Sequence, residues 1–455
     1  MKKLNEKETI ILTELIEWIK NKIDESLKKG EIKKVDINQN YFRWKIEKFE
    51  YSLDSGVSSS SRGEYTTKIQ SMYPYTFDLT SNNEKEFNFY VDELKNIYQD
   101  QNIQIKLHQF LRVVTQNYLE EKQIKQELIE LFLKELNDEP LKVIAIVRLQ
   151  GITLEEDSIK LSNVHTLRRI KPSDLEIEIP VYSPFEKNNL LETNNTAILE
   201  IEKEVLSPID IQKEIELSIL LLKLFKVGRT RITSYSLFCK TITRFISGTF
   251  TPVTSLIFAR ENSKIYKTDN EKIRIFWKEF NKLDYKNNLR NNNFSDLENV
   301  NFAYQRYDET LFSSGSYEQQ IANTIIGLES LFLNNSEDIS KFLRLRISKF
   351  FGLIGLNPEK VQEVLKDAYE VRSCFVHGNK MSYNKRKKIQ RKYETEQELL
   401  NKILEYLRLS IIIIFVINKP KEEFIDLIDN SFINKKKEDE LSNLLKEIMK
   451  KFALD

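Results

Sequence analysis

Between residues 4 and 29 apolar side chains recur at Leu12, Leu15, Ile16, Ile19, Ile23 and Leu27, the three-and-four spacing that lines one face of a helix, and Gly30 is suited to end it. From residue 31 to 80 the period changes. Aromatic and β-branched runs there predict strands, separated by a serine-rich break at 58–61 with the composition of a flexible loop. Helical spacing returns over 102–136 and runs into 143–149, a continuous apolar stretch of the kind a buried strand requires. Residues 175–179 alternate strictly and predict another strand. Ser207-Pro208-Ile209-Asp210 marks a helix start, with serine to cap the free amides and proline in the first turn; this helix should reach about Lys226, before Gly228. An asparagine-rich patch at 287–293 then breaks the pattern as a loop or linker would, and everything after it has helical spacing. The fold class that follows is an α+β N-terminal region, residues 1–265, ahead of an all-α helical-bundle domain, residues 266–455.

The 70 basic and 69 acidic residues nearly cancel, so bulk charge points to neither nucleic acid nor membrane, and any basic surface must be local. Cys239 and Cys374 form no CxxC pair, which argues against a disulfide framework or a redox motif and fits a reducing cytoplasm. The N-terminus alternates charge and does not read as a secretory signal. The apolar run 411–417 is far shorter than the roughly 20 residues a membrane helix needs, so it reads as a buried helix. Only three histidines exist, His108, His165 and His377, none close to another in sequence, and no metal or other cofactor is expected.

Chemistry concentrates in the predicted bundle. On a helical wheel Val361, Val364, Leu365, Ala368, Val371 and Phe375 form one apolar face with Arg372 in its middle. A guanidinium cannot give up its proton in practice, so an arginine there demands an anion: a carboxylate, a phosphate, or each in turn. A second predicted helix, 318–333, carries Glu329 amid Ile321, Ile325, Ile326, Leu328, Phe332 and Leu333, and each charge answers the other's need. Four residues separate Ser373 from His377, which puts both on one helix edge, and Gly378 ends the helix just beyond the histidine. A histidine beside an arginine can move a proton next to a phosphate. Downstream, Lys385, Arg386, Lys387, Lys388, Arg391 and Lys392 supply local positive charge that could follow a nucleic-acid backbone, with Tyr383 and Tyr393 available for stacking. Thr395 to Glu398 is a capping box for the next helix, so the basic run reads as an interhelical loop. Plainer readings stand beside these: Arg372 and Glu329 as a structural ion pair, His377 as a surface helix terminus, the basic run as a solvated loop, and Cys374 as packing.

The segment Tyr369-Glu-Val-Arg-Ser-Cys-Phe-Val-His-Gly378, preceded by Gly327-Leu-Glu-Ser-Leu-Phe-Leu333, resembles the Apea-like branch of the HEPN superfamily, over about residues 300 to 415. In that family a glutamate-bearing helix precedes a helix ending in arginine, four to six residues, histidine and often glycine. The resemblance implies a helical bundle that pairs two copies of the motif across one site, hence a homodimer for this single-motif chain. It implies a metal-independent endoribonuclease in which the ribose 2′-hydroxyl attacks its own phosphate to leave a 2′,3′-cyclic phosphate. His377 would be the general base or acid, Arg372 the phosphate holder and Glu329 the group that orients Arg372. Where many members carry Asn, Asp or His after the arginine, this chain has Ser373. Such proteins act largely in bacterial anti-phage defence, often with a sensing region ahead of the HEPN domain, so a phage or protein trigger acting through the N-terminal region is also implied. The alternative is a non-catalytic HEPN module that dimerises or binds a partner.

Overall fold

The computed structural model describes residues 6–34, 38–52, 56–69, 75–76, 83–121, 123–124, 126–170, 178–180, 196–239, 241–242, 248–250, 263–283, 297–313, 315–334, 339–379 and 381–454. The described chain is mostly helical and carries a six-stranded antiparallel sheet drawn from residues 141 to 250. Helix α1 (Glu6–Lys29) buries Leu12, Leu15, Ile16, Ile19 and Ile23 of the face its spacing predicts, leaves Leu27 exposed in the last turn, and Gly30 follows at φ +70°. Strand β1 (Lys33–Lys34) leads to the hairpin β2 (Asn38–Ser52) and β3 (Gly56–Ile69), and β4 (Tyr75–Thr76) pairs with β1. The serine run 58–61 is not a flexible loop. It lies within β3, with Ser58 opposite Glu50 and Ser61 opposite Ile46. A ladder is made by backbone groups, so a partner strand of sufficient length can carry side chains that alone would favour a loop.

Helices α2 (Glu84–Tyr98), α3 (Ile103–Glu121) and α4 (Gln126–Leu136) join α1 around their own core, in which Phe110 and Phe132 stack at 4.1 Å. The central sheet then begins with β5 (Leu141–Gln150), the predicted apolar strand, followed by β6 (Ile152–Leu154), β7 (Ser158–Lys160), β8 (His165–Arg169), β9 (Glu178–Pro180) and β10 (Thr196–Val205). Residues 178–179 of the predicted 175–179 strand lie in β9, which pairs with β2; the rest fall outside the described residues. Helix α5 (Pro208–Phe225) starts where Ser207-Pro208 predicts, but the Ser207 hydroxyl does not cap a free amide: it and the Ser207 amide both donate to Asp210 Oδ2 at 3.0 Å. Strands β11 (Arg231–Cys239), β12 (Gly248–Phe250) and β13 (Ser263–Ile265) follow. The sheet order is β12-β11-β5-β10-β8-β7, antiparallel at every step, with β13 pairing parallel to β6 nearby. Gly151 turns the chain between β5 and β6 at φ +80°, where an added Cβ would lie 2.2 Å from the Arg229 carbonyl oxygen, so only glycine fits.

After a short 3-10 turn the chain is helical: α6 (Asn270–Asn281), α7 (Glu298–Phe312), α8 (Tyr317–Phe332), α9 (Ile339–Leu353), α10 (Pro358–Val376), α11 (Tyr383–Tyr393), α12 (Glu396–Ile417), α13 (Lys421–Ile433) and α14 (Lys435–Lys451). The asparagine-rich patch 287–293 lies outside the described residues. Packing is continuous across residue 265: one buried cluster runs from Val143, Ala145 and Val147 of β5 through Phe276 and Phe280 of α6 to Phe415 of α12. Phe280 stacks on Phe415 at 5.5 Å, so the aromatic layer of α6 joins sheet to bundle. Within the bundle, α12 is buried along most of its length, including Ile411 to Phe415. It presses so closely on α8 that a Cβ at Gly327 would sit 2.9 Å from Leu407 Cδ2. No described helix is long and apolar enough to cross a membrane.

Candidate functional site

Helix α10 carries most of the candidate site, and both of its ends are determined locally. Asn357 caps the start by accepting the Lys360 amide at 3.1 Å, and Pro358 occupies the first turn. At the other end Gly378 adopts φ +66°, its amide donates to Phe375 O at 3.1 Å, and the Asn379 amide reaches Cys374 O at 2.9 Å. This is a Schellman cap, which stops the helix one residue after Val376 and leaves His377 at its edge. Val361, Val364, Leu365, Ala368 and Val371 are buried as the wheel predicts. Phe375 departs from it: at 43% exposed, with Val376 at 50%, it stands half open to solvent in the last turn.

The two mid-face charges meet. Arg372 Nη2 donates to Glu329 Oε2 of α8 at 3.1 Å, with both side chains about five-sixths buried. The contact is a single point, not the two-pronged fork the groups allow. Arg372 Nε and Glu329 Oε1 are both buried without a hydrogen-bond partner. Burial pushes the Glu329 carboxyl above its ordinary range, and Arg372 offsets this only in part. A carboxylate in that state binds its proton more tightly folded than unfolded, so its contribution to stability is full at low pH and is lost as pH rises through the folded value. Thermal unfolding should therefore show the difference between Glu329→Gln and wild type moving in favour of the variant as pH is raised from 4 to 7. A difference that moves the other way would mean that Arg372 fully compensates the buried charge.

His377 is exposed, and its side chain makes no hydrogen bond among the described residues; its backbone amide donates to Ser373 O at 3.2 Å. Ser373 is half-buried one turn earlier. Within one chain no side-chain hydrogen bond joins Arg372, Ser373 and His377; the three share only the C-terminal turns of α10.

The basic run is a helix, not the interhelical loop expected. Ser382 caps α11 by accepting the Lys385 amide, and Ile389 and Tyr393, four apart, bury one narrow stripe against the bundle. Much of its charge is spent inside the chain. Arg386 Nε donates to Glu396 at 2.7 Å and its Nη2 pairs with Glu318, while Lys392 bonds Asp367 at 2.5 Å and Glu363 at 2.7 Å. Lys385 lies 3.8 Å from Glu370. Lys387, Lys388 and Arg391 remain exposed, with no carboxylate partner among the described residues. Tyr383, 74% exposed, keeps its stacking face beside Lys387, 5.5 Å away. Tyr393 does not: it is buried, and its hydroxyl donates to Asp367 Oδ2 at 2.8 Å. Asp367 was missed from sequence although it anchors α11; a carboxylate three residues from Val364 on the apolar face was the available signal.

Among the described residues no three His, Cys, Asp or Glu side chains gather as a metal site. No family model, curated protein or solved structure matches the chain.

Proposed function

We propose that the chain is a metal-independent HEPN-type endoribonuclease acting as a homodimer. The observation that carries the reading is the half-made Arg372–Glu329 pair between the packed helices α8 and α10, five residues before an exposed His377 at a helix end. A guanidinium with an unused, buried Nε donor is prepared for a second anion, and a phosphodiester oxygen is the one the adjacent histidine could act upon. In the reaction a base removes the 2′-hydroxyl proton, the 2′-oxygen bonds to phosphorus, and the 5′-oxygen departs with a proton from an acid. The products are a 2′,3′-cyclic phosphate and a free 5′-hydroxyl. His377 and His377 of the partner subunit would share the base and acid roles, and Arg372 would hold the phosphate and spread the transition-state charge. Glu329 acts through Arg372 as a positioning residue. Lys387, Lys388 and Arg391 are the cations left to meet the RNA backbone, while Lys385, Arg386 and Lys392 serve mainly to fasten α11. RNA, not DNA, is the substrate because only RNA brings the attacking hydroxyl. The resemblance extends the proposal to anti-phage defence, with the trigger received by the N-terminal region.

Phe375 and Val376 support pairing of two copies, since exposed apolar side chains beside the motif would be covered when two helix ends meet. The double variant Phe375→Asp, Val376→Asp should sediment as a monomer and lose the RNA cleavage that the wild type shows in EDTA. A wild type that leaves RNA intact in EDTA contradicts the proposal. The same exposed pair also favours the second reading, a non-catalytic dimerising or partner-binding module, for which the variant would dissociate with no cleavage to lose.

A further inference from the structure

A cleft of about 1080 Å³ lies far along the sequence from the α10 motif, between the β7–β8–β10 edge of the sheet, α5 and α6. His165 and Trp277 are among the residues that line it, 3% and 1% exposed, their rings 5.2 Å apart and edge to face. Ser162 Oγ accepts the amides of Val164 and His165, both at 3.1 Å, so its own hydrogen is directed to His165 Nδ1 at 2.8 Å. His165 Nε2 then faces Glu214 Oε1 at 3.0 Å, close enough to attract but off the hydrogen-bond axis. With its oxygen occupied by two amides, Ser162 is no nucleophile; the cluster makes a rigid polar wall.

Two independent observations point to a ligand. Trp277 lines the cleft, and its indole N–H is buried with no hydrogen-bond partner, a donor that costs free energy unless something arrives to accept it. The cleft's charge is also unbalanced. Its lining holds five lysines and arginines against three carboxylates, Glu204, Asp210 and Glu214; Glu214 is taken by Lys203, while Lys160, Arg274 and Lys278 have no carboxylate partner among the described residues. Arg274 and Lys278 stand one turn apart on α6, on either side of Trp277 in sequence. In a chain of formal net charge +1, that is a local anion site next to an unsatisfied donor. The volume lies just above the range for small-molecule pockets, about 300–1,000 Å³.

We infer that this cleft binds a phosphorylated small molecule of nucleotide size, its phosphate held by Arg274, Lys278 and Lys160 and an acceptor on its ring meeting the Trp277 N–H. Isothermal titration calorimetry on the full chain, with AMP, adenosine and inorganic phosphate as probes, tests it without recourse to RNA cleavage. AMP should bind saturably at one site per chain, and phosphate more weakly. Binding of AMP should weaken at least about tenfold in the double variant Arg274→Ala, Lys278→Ala, whose exposed side chains can be removed without touching the core. Trp277→Phe should weaken AMP while leaving phosphate unchanged. Failure of both AMP and phosphate to bind, or AMP binding equally tight in the double variant, overturns the inference.

Discussion

Replacing His377 with alanine should reduce RNA cleavage by about 10²–10⁴-fold, the usual worth of a positioned acid or base. Stability should stay within about 0.5 kcal/mol of wild type, as for most exposed positions. The asymmetry follows from the structure: the side chain is exposed at the cap of α10 and bonds to nothing among the described residues, while the helix end is made by backbone contacts of Gly378 and Asn379. Initial cleavage rates on a labelled RNA, with thermal unfolding of the same preparation, check both halves. Arg372→Ala is the less informative change, because it strands Glu329 in the bundle and so lowers stability and activity together. Cleavage by His377→Ala at the wild-type rate would remove the histidine from the chemistry.

The largest single effect on stability is expected at Arg408, on α12. Its side chain is buried, and its Nη1 donates to the Leu224 and Phe225 carbonyl oxygens at 2.5 and 2.9 Å while Nε and Nη2 hold the Glu405 carboxylate. One guanidinium thus satisfies the last turn of α5 and fastens the sheet side of the molecule to the bundle. Burial pushes the Glu405 carboxyl up, but the Arg408 charge and hydrogen bonds override it and hold it below the ordinary range. Arg408→Ala leaves two carbonyls and one carboxylate without their donor. Breaking a buried pair costs about 3–5 kcal/mol, and because the Glu405 side chain keeps 41% of its exposure the lower figure applies, about 3 kcal/mol. Denaturant unfolding measures this directly. Arg386→Ala, on the exposed face of α11, should cost no more than about 1 kcal/mol despite its two carboxylate partners. Equal losses for the two variants would contradict the role assigned to Arg408.

What the sequence disclosed and what it hid divide along physical lines. The face of α1 was legible because many apolar residues repeat one period, and Ser207-Pro208 marks the start of α5. Arg372 and Glu329 were legible as a pair because a charge on an apolar stripe must find its opposite. Helix α11 was not, since only Ile389 and Tyr393 declare a buried face among the basic residues of its sequence. The exposure of Phe375 and Val376 depends on what covers the last turn of α10, which no local pattern records. The Ser58–Ser61 run was misjudged because strand pairing draws on the opposite strand. The His165–Trp277 cleft draws its residues from β7, β8, β10, α5 and α6, far apart in sequence, so only folding brings them together.

The most direct measurement of the central claim is the end chemistry of an RNA cut by the purified protein in EDTA, beside the same oligonucleotide carrying a 2′-deoxy substitution at the cleaved position. The account predicts a 2′,3′-cyclic phosphate and a 5′-hydroxyl from the all-ribose strand and no cut at the substituted position. Cleavage at the 2′-deoxy position, or products ending in a 5′-phosphate, would contradict it.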